Sequence, residues 1–174
     1  KIETKYVLYP SLNQMDIIGF TNYTINEKGE VYSKRWKRII KQSLKKGYYM
    51  VHLVGDDTIP NHSLVHRLIY QAFYLEAGKT MPKQIDHKNG IKTDNSRDNL
   101  RGATSSQNQW NVGKPITNTS GHKNITKRQN GTFQVKIMYI KTYYKTFKTL
   151  EEAIEHRDIK LVELHGEFSN NGNS

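Results

Sequence analysis

The 174-residue chain has no cysteine. That excludes disulfides and every zinc site built on thiolates, and it fits a reducing interior. No apolar run reaches the roughly 18 residues a membrane helix needs. The first residues also lack the basic-then-apolar layout of a secretory signal. Apolar residues make up only 35% of the chain, too few for one large core, so several small modules are expected.

Acidic residues are scarce, and their distribution is uneven. The chain carries 27 Lys and Arg against 16 Asp and Glu, a net charge of +11. No Asp or Glu occurs between Val31 and Gly55, where Lys34, Arg35, Lys37, Arg38, Lys41, Lys45 and Lys46 all fall. None occurs between Asn99 and Leu150 either, a stretch with nine basic residues. Two acid-free basic tracts flanking a carboxylate-bearing centre suit a polyanion gripped on both sides of a reactive site.

The chain is punctuated into modules. Tyr23 to Tyr32 reads as strand, turn at Lys28-Gly29, strand. Tyr48 to Val54 is a further strand, closed by Gly55-Asp56-Asp57. Together they predict a small antiparallel sheet over residues 1–61. From Pro60 to Gly78, Leu64, Val65, Leu68, Ile69, Ala72 and Phe73 form a stripe with helical spacing. His62 and His66 flank it and are expected to cap or pack against the core. The next stretch predicts a strand ending at Asp86-His87, a polar loop, a second strand at Asn99-Leu100-Arg101, and a helix. Thr104 with Gln107 forms the capping box that starts this helix. The whole of residues 62–112 is read as one unit.

Residues 113–121 form a polar linker. In residues 122–169, Phe133, Val135, Ile137 and Tyr139 alternate with polar positions as a half-buried strand does. Tyr143 to Phe147 is its partner. Thr149 with Glu152 caps an amphipathic helix that stops at Gly166. Residues 170–174 are read as a tail. The fold class is α+β, elongated and modular.

The chemistry concentrates at Asp86-His87-Lys88-Asn89-Gly90, with Asn99 and Asn108 following the histidine by 12 and 21 residues. A hard divalent cation takes oxygen ligands, and phosphodiester hydrolysis takes a base near neutral pH. Asp86 and Asn108 supply oxygens and His87 an imidazole, whose ordinary pKa of about 6.5 suits a base at pH 7. Adjacent side chains of a regular strand point to opposite faces, so the strand must end or distort at this pair for both to serve one site.

Ile85 to Asn111 (IDHKNGIKTDNSRDNLRGATSSQNQWN) resembles the HNH homing endonucleases of phage and intron origin. Tyr23 to Ser33 and Val65-His66-Arg67-Leu68 resemble the flanking parts of those enzymes. The resemblance implies a ββα-metal fold in which His87 deprotonates the attacking water. It further implies that Asp86 binds the metal, Asn99 braces the loop and orients the histidine, and Asn108 is the second metal ligand. Asn111, on the same helical face, is an alternative ligand. The implied cofactor is one Mg²⁺ or Mn²⁺ per site. Lys88, Lys92, Arg97 and Arg101 are candidates for phosphate contact.

Pieces from Ser120 to Ser169 resemble the AP2-type DNA-binding domain, a three-stranded sheet backed by a helix. Its contact positions fall here on Lys123, Thr126, Lys127, Arg128, Asn130, Lys136, Met138, Lys141 and Tyr143. The expectation is a site-specific, metal-dependent endonuclease acting on double-stranded DNA. One site per chain implies nicking, with 5′-phosphate and 3′-hydroxyl ends. Such an enzyme is expected as a monomer or weak dimer, without a membrane partner, in the cytoplasm of a bacterium or a phage-infected host. The rival is a DNA-binding regulator or recombination accessory with a vestigial centre. An RNA-binding protein is the weaker rival, because no sheet of stacking aromatics beside small residues is evident.

Overall fold

A computed structural model describes residues 14–75, 79–118 and 120–172. These fall into two compact units that interleave along the chain. One draws on Lys1–Met81 and Ile91–Arg101, the other on Pro82–Gly90 and Gly102–Ser174. Both are mixed α and β, built on small sheets.

In the first unit β1 (Gln14–Ile17), β2 (Phe20–Asn26), β3 (Val31–Ser33) and β4 (Arg38–Ile39) form an antiparallel sheet in that order. The turn between β2 and β3 is fixed by Asn26, whose side-chain oxygen accepts from the backbone N–H groups of Lys28 and Glu30. Gly29 adopts φ 87°, and a Cβ there would meet Val65 Cγ1 at 2.8 Å. Only glycine combines that backbone with so close an approach.

A second antiparallel sheet joins β5 (Ser43–Lys45), β6 (Tyr48–Val54) and β7 (Pro60–Leu64). Here the structure departs from expectation. Residues 60–64 are strand, paired Val54 to Pro60, His52 to His62 and Met50 to Leu64. The Gly55–Thr58 turn, closed by Thr58 N–H on Gly55 O, folds this segment back along β6. Pro60 is tolerated as the first residue of a strand. Helix α1 (Val65–Phe73) therefore starts where the apolar stripe becomes dense, burying Val65, Leu68 and Ile69 against β1, β2 and β6. The last residues expected in this helix, 76–78, lie outside the described residues. His66 is buried beside the Tyr48 ring at 5.2 Å, and His62 stacks on His52 at 4.7 Å.

The segment Ile91–Arg101 belongs to this first unit because Arg97 ties it there. Its Nη1 donates to Glu27 Oε1 at 2.8 Å, and its guanidinium lies 5.5 Å over Phe73 and over Tyr74. Glu27 raises the Arg97 pKa above its ordinary value. The Tyr74 hydroxyl donates to Arg97 O at 2.7 Å. A short 3-10 turn, Arg97–Asn99, follows.

In the second unit β8 (Gln84–His87) joins β9 (Leu100–Ala103), of which Gly102 and Ala103 belong here, and helix α2 (Ser105–Trp110) packs on β8. Strands β10 (Ile125–Lys127), β11 (Phe133–Ile137) and β12 (Tyr143–Phe147) form an antiparallel sheet, and α3 (Leu150–His165) covers one face. Ile125, Val135, Ile137, Ala153 and Leu161 make the core between them. Thr149 and Glu152 complete the expected capping box, and Gly166 ends the helix at φ 54°. Strand β10 was not evident from periodicity, since Ile125 is its single buried residue.

Candidate functional site

Helix α2 starts as its sequence dictates. The Thr104 side chain accepts from Gln107 N–H at 3.2 Å, and the Gln107 side-chain oxygen accepts from Thr104 N–H at 2.9 Å. The helix stands against β8, and two amide side chains on one helical face meet two same-face positions of the strand. Asn108 Nδ2 donates to Gln84 Oε1. Asn111, the residue that closes the helix, donates its Nδ2 to Asp86 Oδ1 at 3.0 Å and Oδ2 at 3.1 Å. The spacing explains the match, since i and i+2 share a strand face and i and i+3 share a helix face.

Asp86 and His87 are both buried, at 4% and 5% exposure. His87 is the last residue of β8, and Gly90 N–H turns back onto His87 O at 2.8 Å. Both residues lie within β8, His87 at its last position, so strand parity sends their side chains to opposite faces up to the point where the chain turns. Asn111 Nδ2 also reaches His87 O at 2.8 Å and Lys88 O at 3.4 Å. That nitrogen therefore donates toward a carboxylate and two carbonyls.

Such a donor set suits a hard divalent cation better than a thiophilic one. Among the described residues no group of three or more His, Cys, Asp and Glu converges, so carbonyl and amide oxygens would have to complete any cation site here.

The structure thus brings Asn111 to Asp86, whereas Asn108, the ligand expected from sequence, is engaged by Gln84 two residues before it. Gln84 was missed, although its place on the Asp86 face was legible from strand parity. Asn99 belongs to the first unit, where its Nδ2 donates to Asp94 O at 2.8 Å within its own loop.

The basic residues divide more sharply. Lys34, Arg35, Lys37, Arg38, Lys41, Lys45 and Lys46 are all exposed on the first unit, with Trp36 among them at 48%. Lys34 bonds to Asp16 at 2.6 Å. Arg97 is taken up by Glu27, and Lys92 lies 5.0 Å over the Tyr48 ring. Arg101 is half-buried. In the second unit Thr126, Lys127, Arg128, Asn130, Lys136, Met138 and Lys141 are exposed. Two residues expected at DNA lie elsewhere. Lys123 is 8% exposed, its ammonium donating to Trp110 O at 2.7 Å, and burial and the Arg157 charge lower its pKa to about 8. Tyr143 pairs with Ile137 on the inner face, where it packs on the core and its hydroxyl meets His156 Nε2 at 2.6 Å. Its neighbour Tyr144, opposite Lys136 on the outer face, is 54% exposed. A one-residue difference in strand parity exchanges the two tyrosines.

Residues 63–110 match the family model described as HNH endonuclease. This segment belongs to the HNH endonuclease family. It includes Asp86, His87, Asn99 and Asn108 and stops one residue short of Asn111. The chain is 32% identical over 95 residues to an uncharacterized HNH endonuclease of Acanthamoeba polyphaga mimivirus, a match covering 55% of this chain and 24% of that protein. A second uncharacterized HNH endonuclease of the same virus is 28% identical over 127 residues, 71% of this chain and 35% of that protein. The DNA endonuclease I-HmuI of Bacillus phage SP01 is 31% identical over 118 residues, 66% of each. The chain thus spans about a quarter, a third and two thirds of these relatives' lengths. The solved structure of the HNH homing endonuclease I-HmuI, described for DNA binding and cleavage, has a similar fold. Its TM-score is 0.50 at 22% identity, over 88% of this chain and 91% of that one. HNH nucleases generally use a divalent metal ion. No helix among the described residues is long and apolar enough to cross a membrane.

Proposed function

We propose that the chain is a metal-dependent, homing-type DNA endonuclease that nicks one strand at each engagement. The observation that carries this reading is the buried Asp86-His87 pair at the end of β8, inside the HNH segment, with an α2 amide held against the carboxylate. His87 takes the proton from the attacking water. Asp86 and an amide oxygen from α2 would hold a Mg²⁺ or Mn²⁺ ion. Asn111 stands at that carboxylate in this structure, and Asn108 is the position the family resemblance assigns. The bound cation supplies charge neutralisation at the scissile phosphate and at the departing 3′ oxygen. Asn99 braces the loop between the two strands through Asp94. Products carry 5′-phosphate and 3′-hydroxyl ends.

Basic residues of both units grip the duplex backbone, a contact that positions the enzyme without specifying sequence. The outer face of β10-β11-β12, with Thr126, Lys136 and Tyr144, supports an AP2-like role for that sheet. A cytoplasmic site of action in a bacterium or infected host, and a monomer or weak dimer, complete the reading.

The test is supercoiled plasmid carrying candidate genomic fragments, incubated with Mg²⁺, with Mn²⁺ or with chelator, beside His87→Ala. Metal-dependent open-circle product that disappears in the variant while band shifts persist is the expected result. Binding without cleavage in either metal, on DNA containing the bound site, would refute the nuclease reading.

A further inference from the structure

Helix α2 has only six residues, none of them buried, yet it carries Asn108 and ends at Asn111. Its first turn is capped by its own sequence. Its last turn is not: helices leave their final carbonyls without intrahelical partners, and six residues are far below the roughly 12–15 at which an isolated helix is even marginal.

Those last carbonyls find donors far along the chain. Lys123 Nζ donates to Trp110 O at 2.7 Å. Asn170 Nδ2 donates to Asn111 O at 2.8 Å, 59 residues away in sequence, and lies 3.4 Å from Asn111 Oδ1. Asn170 is itself fixed, its Oδ1 accepting from Gly172 N–H at 2.7 Å. Lys123 is fixed through its own carbonyl, which accepts from the fully buried Arg157 of α3 at 2.6 Å. The Trp110 ring lies parallel to that of His165, the last residue of α3, at 4.3 Å. Burial lowers the His165 pKa, and its Nε2–H donates to Met138 O, just past β11, at 2.7 Å, which anchors the ring that takes the stack.

We infer that Lys123 and Asn170 are positioning residues for the catalytic centre: they hold the last turn of α2, and so place Asn108 and Asn111 against Gln84 and Asp86. The C-terminal sheet and helix are on this account part of the nuclease centre's framework as well as a surface for DNA. The role in cleavage rests on the endonuclease reading, but the role in ordering α2 does not. A purely stabilising role for Lys123 fits poorly, because its buried charge sits beside that of Arg157 and is carried at a desolvation cost.

The experiment compares the parent with Lys123→Met, Lys123→Arg and Asn170→Asp. The Met variant keeps the stem and removes the donor, and the Arg variant restores a donor. The Asp variant keeps the acceptor that Gly172 uses and removes the donor to Asn111. Amide hydrogen exchange is read at residues 108–112 and, as reference, in β11 and α3. Mn²⁺ binding is followed by electron paramagnetic resonance, and single-turnover nicking and band shifts are measured alongside.

The Met and Asp variants are expected to speed exchange at 108–112 at least tenfold with the reference amides unchanged. Mn²⁺ affinity and nicking rate fall about tenfold, DNA affinity stays within about twofold, and the Arg variant recovers most of the loss. Unchanged exchange at 108–112 would overturn the inference, and so would faster exchange spread evenly over β11 and α3. If the parent itself neither nicks nor binds Mn²⁺, the endonuclease reading fails, while the exchange data still decide whether these residues order α2.

Discussion

Helices α2 and α3 begin in the same way and persist for different reasons. Each opens on a threonine with a glutamine or glutamate three residues on, and in each both arms of the capping box are made. From there they diverge. Helix α3 runs 16 residues and buries Ala153, Arg157, Leu161 and His165. Helix α2 runs six and buries none; hydrogen bonds join Asn108 and Asn111 to β8 and Lys123 and Asn170 to its end, and Trp110 stacks on His165. A helix held by its core tolerates the loss of one polar contact. A helix with no buried side chain has less to spare, and it is the latter that bears the candidate chemistry.

The largest expected effect comes from cutting α2 from β8. Asn111→Ala leaves Asp86 without this amide and unties the helix end from β8, and nicking is expected to fall by about 100-fold or more with DNA affinity little changed. Asn108→Ala is the companion measurement. If Asn108 is the metal ligand it costs as much as Asn111→Ala and weakens Mn²⁺ binding equally. If it only ties α2 to Gln84, the loss is nearer tenfold, and Gln84→Ala reproduces it. Equal activity of parent and Asn111→Ala would remove Asn111 from the site.

The next effect belongs to α3 and should appear in stability first. Leu161 is 1% exposed within the core formed with Val135 and Ile137. Truncation to Ala is expected to cost about 2–5 kcal/mol by denaturant unfolding. At temperatures where this variant remains folded, nicking should stay within a fewfold of the parent. A variant that stays folded but is inactive would mean that α2 senses packing beneath α3, and the contrast drawn between the two helices would fail.

This contrast also explains which parts were legible in the sequence. Local signals survived: both capping boxes, the β6 and β12 strands and the Gly166 stop lie where spacing put them, because each depends on residues within a few positions. Non-local partners did not. Asn170 was read as part of a tail, and its bond to Asn111 spans 59 residues that no periodicity encodes. Lys123 looked like one more member of a basic tract until its burial against Trp110 O showed otherwise. Residues 60–64 were assigned to the helix whose apolar stripe begins only at Leu64, whereas pairing with β6 claims them first. Asp86 and His87 stood out as a pair, but choosing between Asn108 and Asn111 required the register of α2 on β8, which tertiary contact sets.

The smallest effect separates the two helices most cleanly. Thr104→Ala and Thr149→Ala remove equivalent caps, each worth about 1 kcal/mol of local helix stability. In α3 that loss is shared with a 16-residue helix anchored by four buried side chains, so a modest shift in the unfolding midpoint and no change in nicking are expected. In α2 the helix has no buried residue to absorb the loss, and fraying of its first turn shifts Asn108, whose N–H donates to Thr104 O. Global stability should hardly register Thr104→Ala, since α2 adds little to it, while the nicking rate drops severalfold. Circular dichroism melts and single-turnover rates on the same two variants measure this crossing of effects. If both caps instead moved stability and nicking in proportion, α2 would be as well supported as α3, and the bonds from Lys123 and Asn170 would be incidental to its order.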